Sequence, residues 1–152
     1  MDVDARLRDL GIELPPAPQA LAAYVPVVVA GGLAFVAGQV PLRDGAVSCA
    51  GKLGAEIEVE RGAAAARQSA LRAISALRAA LGSLDRVRRV VRVVVYVASA
   101  EGFTGQPQVA NGASELLVDV FGEAGKHARA AVGVAELPLG AAVEVEVTVE
   151  LV

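Results

Sequence analysis

Apolar residues recur along this chain in two rhythms. Over residues 143–151, Val143, Val145, Val147, Val149 and Leu151 alternate with Glu144, Glu146, Thr148 and Glu150, the two-residue period of a strand with one dry and one polar face. Residues 59–81 are alanine-rich, and Leu71, Ile74, Leu77 and Leu81 return every three or four positions. That spacing predicts a long helix packed on a sheet and ending at Gly82. Its Arg61, Arg67, Arg72 and Arg78 read as a solvated or stem-packed side. A second helix is predicted over 108–121, with Val109, Ala113, Leu116, Leu117, Val120 and Phe121 as its apolar stripe. Residues 87–97 form a β-branched strand. Strict alternation puts Val87, Arg89, Val91, Val93, Val95 and Val97 on one side, and Arg88, Val90, Arg92, Val94 and Tyr96 on the other.

Short apolar runs at 24–29 and 33–37 flank Ala30-Gly31-Gly32 and predict a hairpin. Residues 2–10 read as a short helix with Asp2 as cap and Gly11 as stop, followed by a Pro-rich connector at 15–18. Residues 41–55, punctuated by Asp44-Gly45, Gly51 and Gly54, read as a loop with at most a minor strand. Strands at 129–135 and 142–151 complete the order β-β-α-β-α-β-β, an α+β arrangement of one sheet on two helices. The chain's 152 residues suit a single domain, with 1–18 as its N-terminal helix and connector.

Composition changes this picture in one respect. Hydrophobic residues make up 55% of the chain, against about 45–50% in typical globular domains. The mixed polar face of the sheet is therefore read as a contact between subunits, with Arg88 or Arg92 meeting Glu146 or Glu150; the alternative is a simply wet face. A net charge of −3 with 3% aromatics and no tryptophan provides neither a basic footprint nor stacking platforms, so no nucleic-acid partner is expected. Cys49 and His127 are the only residues of their kinds, which excludes an internal disulfide and any cysteine- or histidine-based metal cluster. No metal and no cofactor are expected. Residues 14–42 lack charge over a length that would span a bilayer. Their prolines and glycines break such a helix, and the charged N-terminus is no signal peptide. A soluble, cytoplasmic protein without membrane contact is the expectation. Cys49 has no basic residue nearer in sequence than Lys52 and Arg43, so an unreactive thiol is expected. His127 reads as a loop or cap residue, with acid–base work as the alternative. Asn111-Gly112 is either a helix-start or turn element or part of a binding site.

The block from His127 to Glu144 carries the candidate chemistry. Arg129 opens a small apolar strand, Leu137-Pro138-Leu139-Gly140 makes a turn, and Glu144 opens the alternating strand. An arginine fork can hold a carboxylate through two parallel hydrogen bonds, and a glutamate across the turn could deprotonate a water beside it. The competing reading is a plain cross-strand ion pair.

These residues, with Ala23-Tyr24-Val25, Phe35-Val36-Ala37-Gly38-Gln39-Val40-Pro41, Leu81-Gly82-Ser83-Leu84-Asp85-Arg86-Val87 and Asn111-Gly112-Ala113-Ser114, resemble the Rid/YjgF family, also called the endoribonuclease L-PSP family, over nearly the whole chain. The resemblance implies a chorismate-mutase-like (YjgF-like) fold, a mixed sheet packed on two helices, and a homotrimer with its sites in clefts between subunits. It implies hydrolysis of small enamines and imines bearing a carboxylate, of the 2-aminoacrylate and 2-iminopropanoate type, to 2-keto acid and ammonia. In those terms Arg129 binds the substrate carboxylate and Glu144 positions or activates water. Tyr24 and Asn111 shape the pocket, Gly38 forms its wall, and Ala131 contributes its backbone. Two departures stand out: Ala37 replaces a serine frequent in deaminating members, and Ala131 replaces a frequent cysteine. A trimeric module that binds small carboxylates without turnover is therefore the alternative, followed by an endoribonuclease.

Overall fold

The computed structural model of the chain describes residues 1–20 and 22–152. In chain order it comprises helix α1 (Val3–Asp9), the hairpin of β1 (Val27–Ala30) and β2 (Leu33–Gln39), and a small hairpin of β3 (Leu42–Arg43) and β4 (Ala46–Val47). Helix α2 (Val59–Leu81), strand β5 (Val87–Ala98), helix α3 (Gln106–Phe121), and strands β6 (Ala128–Val134) and β7 (Val143–Leu151) follow. The start of α1 and the end of α2 lie where the cap Asp2 and the stop Gly82 predict them. The Asp2 side chain accepts from the Ala5 amide at 2.8 Å, and α2 ends at Gly82. Helix α3 starts two residues earlier than its apolar stripe suggests. Pro107 sits in its first turn, where a missing N–H costs nothing.

Five strands form one sheet in the order β1-β2-β7-β5-β6, and β3-β4 stand apart. The pairs β1–β2, β2–β7 and β5–β7 are antiparallel, while β5–β6 is parallel. The parallel pair follows from chain economy: α3 crosses over the sheet between its strands, as parallel neighbours require. This order corrects the idea that the strands of Arg129 and Glu144 are neighbours. Strand β5 separates them, so no cross-strand Arg129–Glu144 pair exists.

Helices α2 and α3 cover one face of the sheet, and the core lies beneath them. Val143, Val145, Val147 and Val149 are buried there as the alternation predicts. Strand β5 does not alternate strictly. Its register slips between Val87 and Arg89 and again between Val90 and Arg92, each slip a bulge in which two residues oppose one. Val87, Val90 and Val93 therefore all face the core, opposite Leu151, Val149 and Val147, while Arg89 and Val91 are exposed.

Gly112 fixes the spacing of the two helices. A Cβ there would lie 1.9 Å from the Ala63 carbonyl oxygen of α2, so only glycine permits the approach. Asn111-Gly112 is thus neither helix start nor turn but the middle of α3. The arginines of α2 are not uniformly solvated either. Arg61 and Arg78 are exposed, whereas Arg72 is half-buried and donates to the Val40 carbonyl at 2.9 Å. Burial lowers the Arg72 pKa from its usual range.

Among the described residues no helix covers the opposite sheet face. It carries Glu144, Glu146, Thr148 and Tyr96 beside Val28 and Phe35, which are 50% and 44% exposed. The Arg88–Glu150 pairing expected between subunits closes within one chain, at 3.6 Å. No helix among the described residues is long and apolar enough to cross a membrane.

Candidate functional site

Glu144, the second residue of β7, lies directly opposite Tyr96 of β5. Its side chain lies on the uncovered face, since Val143 and Val145 on either side point into the core. On its other flank, β2 bulges between Val36 and Gln39, so Ala37 and Gly38 together oppose the single residue Glu146. The bulge sets Gly38 over the Glu144 carboxyl: a Cβ on Gly38 would lie 2.5 Å from Glu144 Oε1. Half-buried, Glu144 has its pKa raised first by burial and then by the charge of Glu146. Tyr96 donates its hydroxyl to Glu146 Oε2 at 3.3 Å, and burial and the two glutamates push its own pKa up.

Tyr24 precedes β1 on a segment held to β2 by the Ala37 amide donating to the Pro26 carbonyl at 2.8 Å. With Val28, Phe35, Ala37, Glu146 and Thr148 it lines a shallow, mainly apolar cavity of about 370 Å³. Gly38 and Glu144 do not line this cavity themselves; Ala37 and Glu146, close to them in the chain, do. Glu146 with its partner Tyr96 was not assigned to the site by sequence reasoning. The available signals were the repeat of glutamate two positions after Glu144 and the lone aromatic of the β5 strand.

Arg129 lies elsewhere. It is in parallel register with Val93 on edge strand β6, so its side chain emerges on the helix-covered face. There its Nη1 donates to Asn111 Oδ1 at 2.8 Å and to Ser114 Oγ at 3.2 Å, both on α3. Nε and Nη2 make no hydrogen bond among the described residues, which leaves one edge of the fork open beside solvent. Ser114, quoted in the sequence only as the end of the Asn111-to-Ser114 motif and given no role there, sits one turn after Asn111 and so on the same helix face. Ala131 shares Arg129's side of β6 and packs against the core, so its side chain forms no pocket wall within the chain.

One chain thus carries two separate groups. Arg129 and Asn111 sit at the outer edge on the helix side. Glu144, Gly38 and Tyr24 sit on the uncovered face, two strands away, about 10 Å by strand spacing alone. No three histidine, cysteine, aspartate or glutamate side chains come together to hold a metal among the described residues. Cys49 is buried, and burial raises its pKa despite Arg61 nearby, a setting that disfavours the reactive thiolate.

The model of a family described as "YjgF/chorismate mutase-like, putative endoribonuclease" matches residues 4–151. The chain belongs to the YjgF family. Protein TCP17 of Trypanosoma cruzi is 53% identical over 150 residues, covering 98% of this chain and 94% of that protein. YjgF relatives of known structure include protein Atu1372 of Agrobacterium tumefaciens, whose function is unknown. It is 40% identical with a TM-score of 0.89, over 99% of this chain and 92% of that one. A "putative endoribonuclease" of Shewanella oneidensis is 34% identical with a TM-score of 0.94, over 99% and 100% of the two chains. The mixed α+β architecture, with its three helices, is the YjgF/chorismate-mutase-like fold.

Proposed function

We propose that this YjgF member hydrolyses small enamine and imine intermediates bearing a carboxylate to 2-keto acids and ammonia. The carrying observation is that one chain holds both halves of such a site on surfaces that a second copy could join. One half is an arginine with an open guanidinium edge; the other is a half-buried carboxyl of raised pKa beneath Gly38. In a homotrimer, the edge of one subunit would meet the uncovered face of the next and close the cleft. Arg129 grips the substrate carboxylate through its free edge, which fixes the imine carbon for attack. Glu144 takes a proton from water as oxygen bonds to that carbon. Glu144 returns that proton to the imine nitrogen, giving the carbinolamine. It then moves the hydroxyl proton to the amino group, which leaves as ammonia as the C–N bond breaks and the C=O of the keto acid forms. An enamine enters the same sequence after tautomerising to its imine. Burial lifts Glu144 toward the range in which a carboxyl both accepts and returns a proton. No cofactor enters this scheme.

A ribonuclease reading has less support. Both ring nitrogens of His127, the chain's one histidine, are already engaged by Gly125 and Ser114. The binding-module reading retains one specific argument: Ala37 lines the cavity beside Tyr24 and Glu146 without the hydroxyl that many deaminating members carry there.

The deciding assay follows keto-acid release from freshly generated 2-aminoacrylate with wild type, Arg129→Ala and Glu144→Gln. Acceleration by wild type alone supports the deaminase. A folded wild type that binds pyruvate but accelerates nothing would leave the binding module.

A further inference from the structure

We infer that Ser114 and His127 are positioning residues, forming a one-directional hydrogen-bond relay that holds the Arg129 guanidinium ready for an anionic ligand. The functional part of this inference rests on Arg129 acting as the carboxylate clamp proposed above.

The relay can be followed atom by atom. Arg129 Nη1 donates to Ser114 Oγ at 3.2 Å and to Asn111 Oδ1 at 2.8 Å. Ser114 Oγ lies 3.0 Å from His127 Nε2, and His127 Nδ1 lies 2.6 Å from the Gly125 carbonyl oxygen. A carbonyl oxygen only accepts, so Nδ1 carries a proton, and in the singly protonated tautomer that this selects, Nε2 is the acceptor. Ser114 must then send its own proton to Nε2, which leaves its lone pairs for Arg129. Each donor meets an acceptor in the order Arg129, Ser114, His127, Gly125, and no step opposes another.

The terminus of the relay is fixed. Gly125 is buried, and a Cβ there would sit 2.2 Å from the Leu117 carbonyl oxygen of α3. The carbonyl that anchors His127 therefore belongs to a segment pressed against the same helix that carries Ser114 and Asn111. An exposed arginine ordinarily samples many rotamers and loses that freedom on binding a ligand. Here Nη1 is tied down in advance, and the edge formed by Nε and Nη2 has no protein partner among the described residues.

Two readouts test this. The first is ¹⁵N NMR of the ligand-free guanidinium, which reports rotation about the Arg129 Cζ–Nε bond. The second is the affinity for pyruvate, by calorimetry. In Ser114→Ala and His127→Ala, rotation should speed up and the pyruvate Kd should rise about tenfold. His127→Gln, which keeps an acceptor near the Nε2 position, should recover most of the affinity. In an Arg129→Ala background, Ser114→Ala should add no further loss, because the two act as one unit.

Unchanged rotation and affinity in folded Ser114→Ala and His127→Ala would overturn the relay. Losses that simply add to that of Arg129→Ala would overturn it too, since they mark a general structural effect. If rotation speeds up as expected while Arg129→Ala binds pyruvate as wild type does, the relay stands and the carboxylate-clamp reading falls.

Discussion

Gly38 has no side chain because the Glu144 carboxyl occupies the space one would need. Gly38→Ala would force that carboxyl aside, and a displacement near 1 Å at a reacting group can cost on the order of a hundredfold in rate. Steady-state kinetics of imine hydrolysis should show such a loss in kcat, with the melting temperature little changed. The raised pKa of Glu144 makes a second prediction. Between the ordinary carboxylate range and its own higher pKa, the folded state holds a proton that the unfolded state has released. Stability therefore falls as pH rises through that window, and the penalty persists above it. Glu144→Gln should abolish activity yet raise the melting temperature at pH 8, with the gain vanishing below about pH 4. Melting curves across pH check the sign. Residue types were readable in advance here, but partners were not. Arg129 and Glu144 stood out by chemistry and spacing, yet chain order placed them on neighbouring strands. Their true neighbours, Asn111 with Ser114 and Gly38 with Tyr96, come from distant segments that only the assembled sheet brings near.

Whole elements were more legible than their details. Helix α2 runs between the residues that its periodicity and its Gly82 stop mark, because local signals act within a turn or two. The faces of β5 escaped the alternation rule because two bulges shift its parity. The clue was present as a three-residue spacing of Val87, Val90 and Val93, which no regular strand produces. The bulges lead to opposite expectations for adjacent valines. Val90 is 1% exposed and Val91 is 37% exposed, so Val90→Ala should cost about 1–3 kcal/mol. Val91→Thr should change stability by less than about 0.5 kcal/mol. Urea unfolding of both variants separates this arrangement from strict alternation, which buries Val91 instead. At the helix pair, Gly112→Ala meets backbone and cannot be relieved by a rotamer change. It should destabilise by about 1–3 kcal/mol and loosen Arg129 as Asn111 shifts.

At the scale of the molecule, the uncovered face joins Phe35 and Val28 to the acidic rows of β7, a surface too apolar to be ordinary solvent-facing sheet. The proposed trimer gives it a purpose, and Phe35→Asp would test that. Light scattering should find three chain masses for wild type and one for the variant, with imine hydrolysis lost alongside assembly. The order of strands in the sheet has a consequence for how the protein is made. The central strand, β7, is the latest of the five in chain order, and both its neighbours wait for it. While a ribosome is still adding residues 128–142, β2 and β5 each offer a bare edge, and β5 is one of the most valine-rich segments of the chain. Bare apolar edges invite pairing with other nascent chains. Closure also joins segments roughly a hundred residues apart, a slow step for any chain. The sheet can be completed only after residues 143–151 have cleared the exit tunnel, so β2 and β5 keep an open edge for as long as that strand is missing.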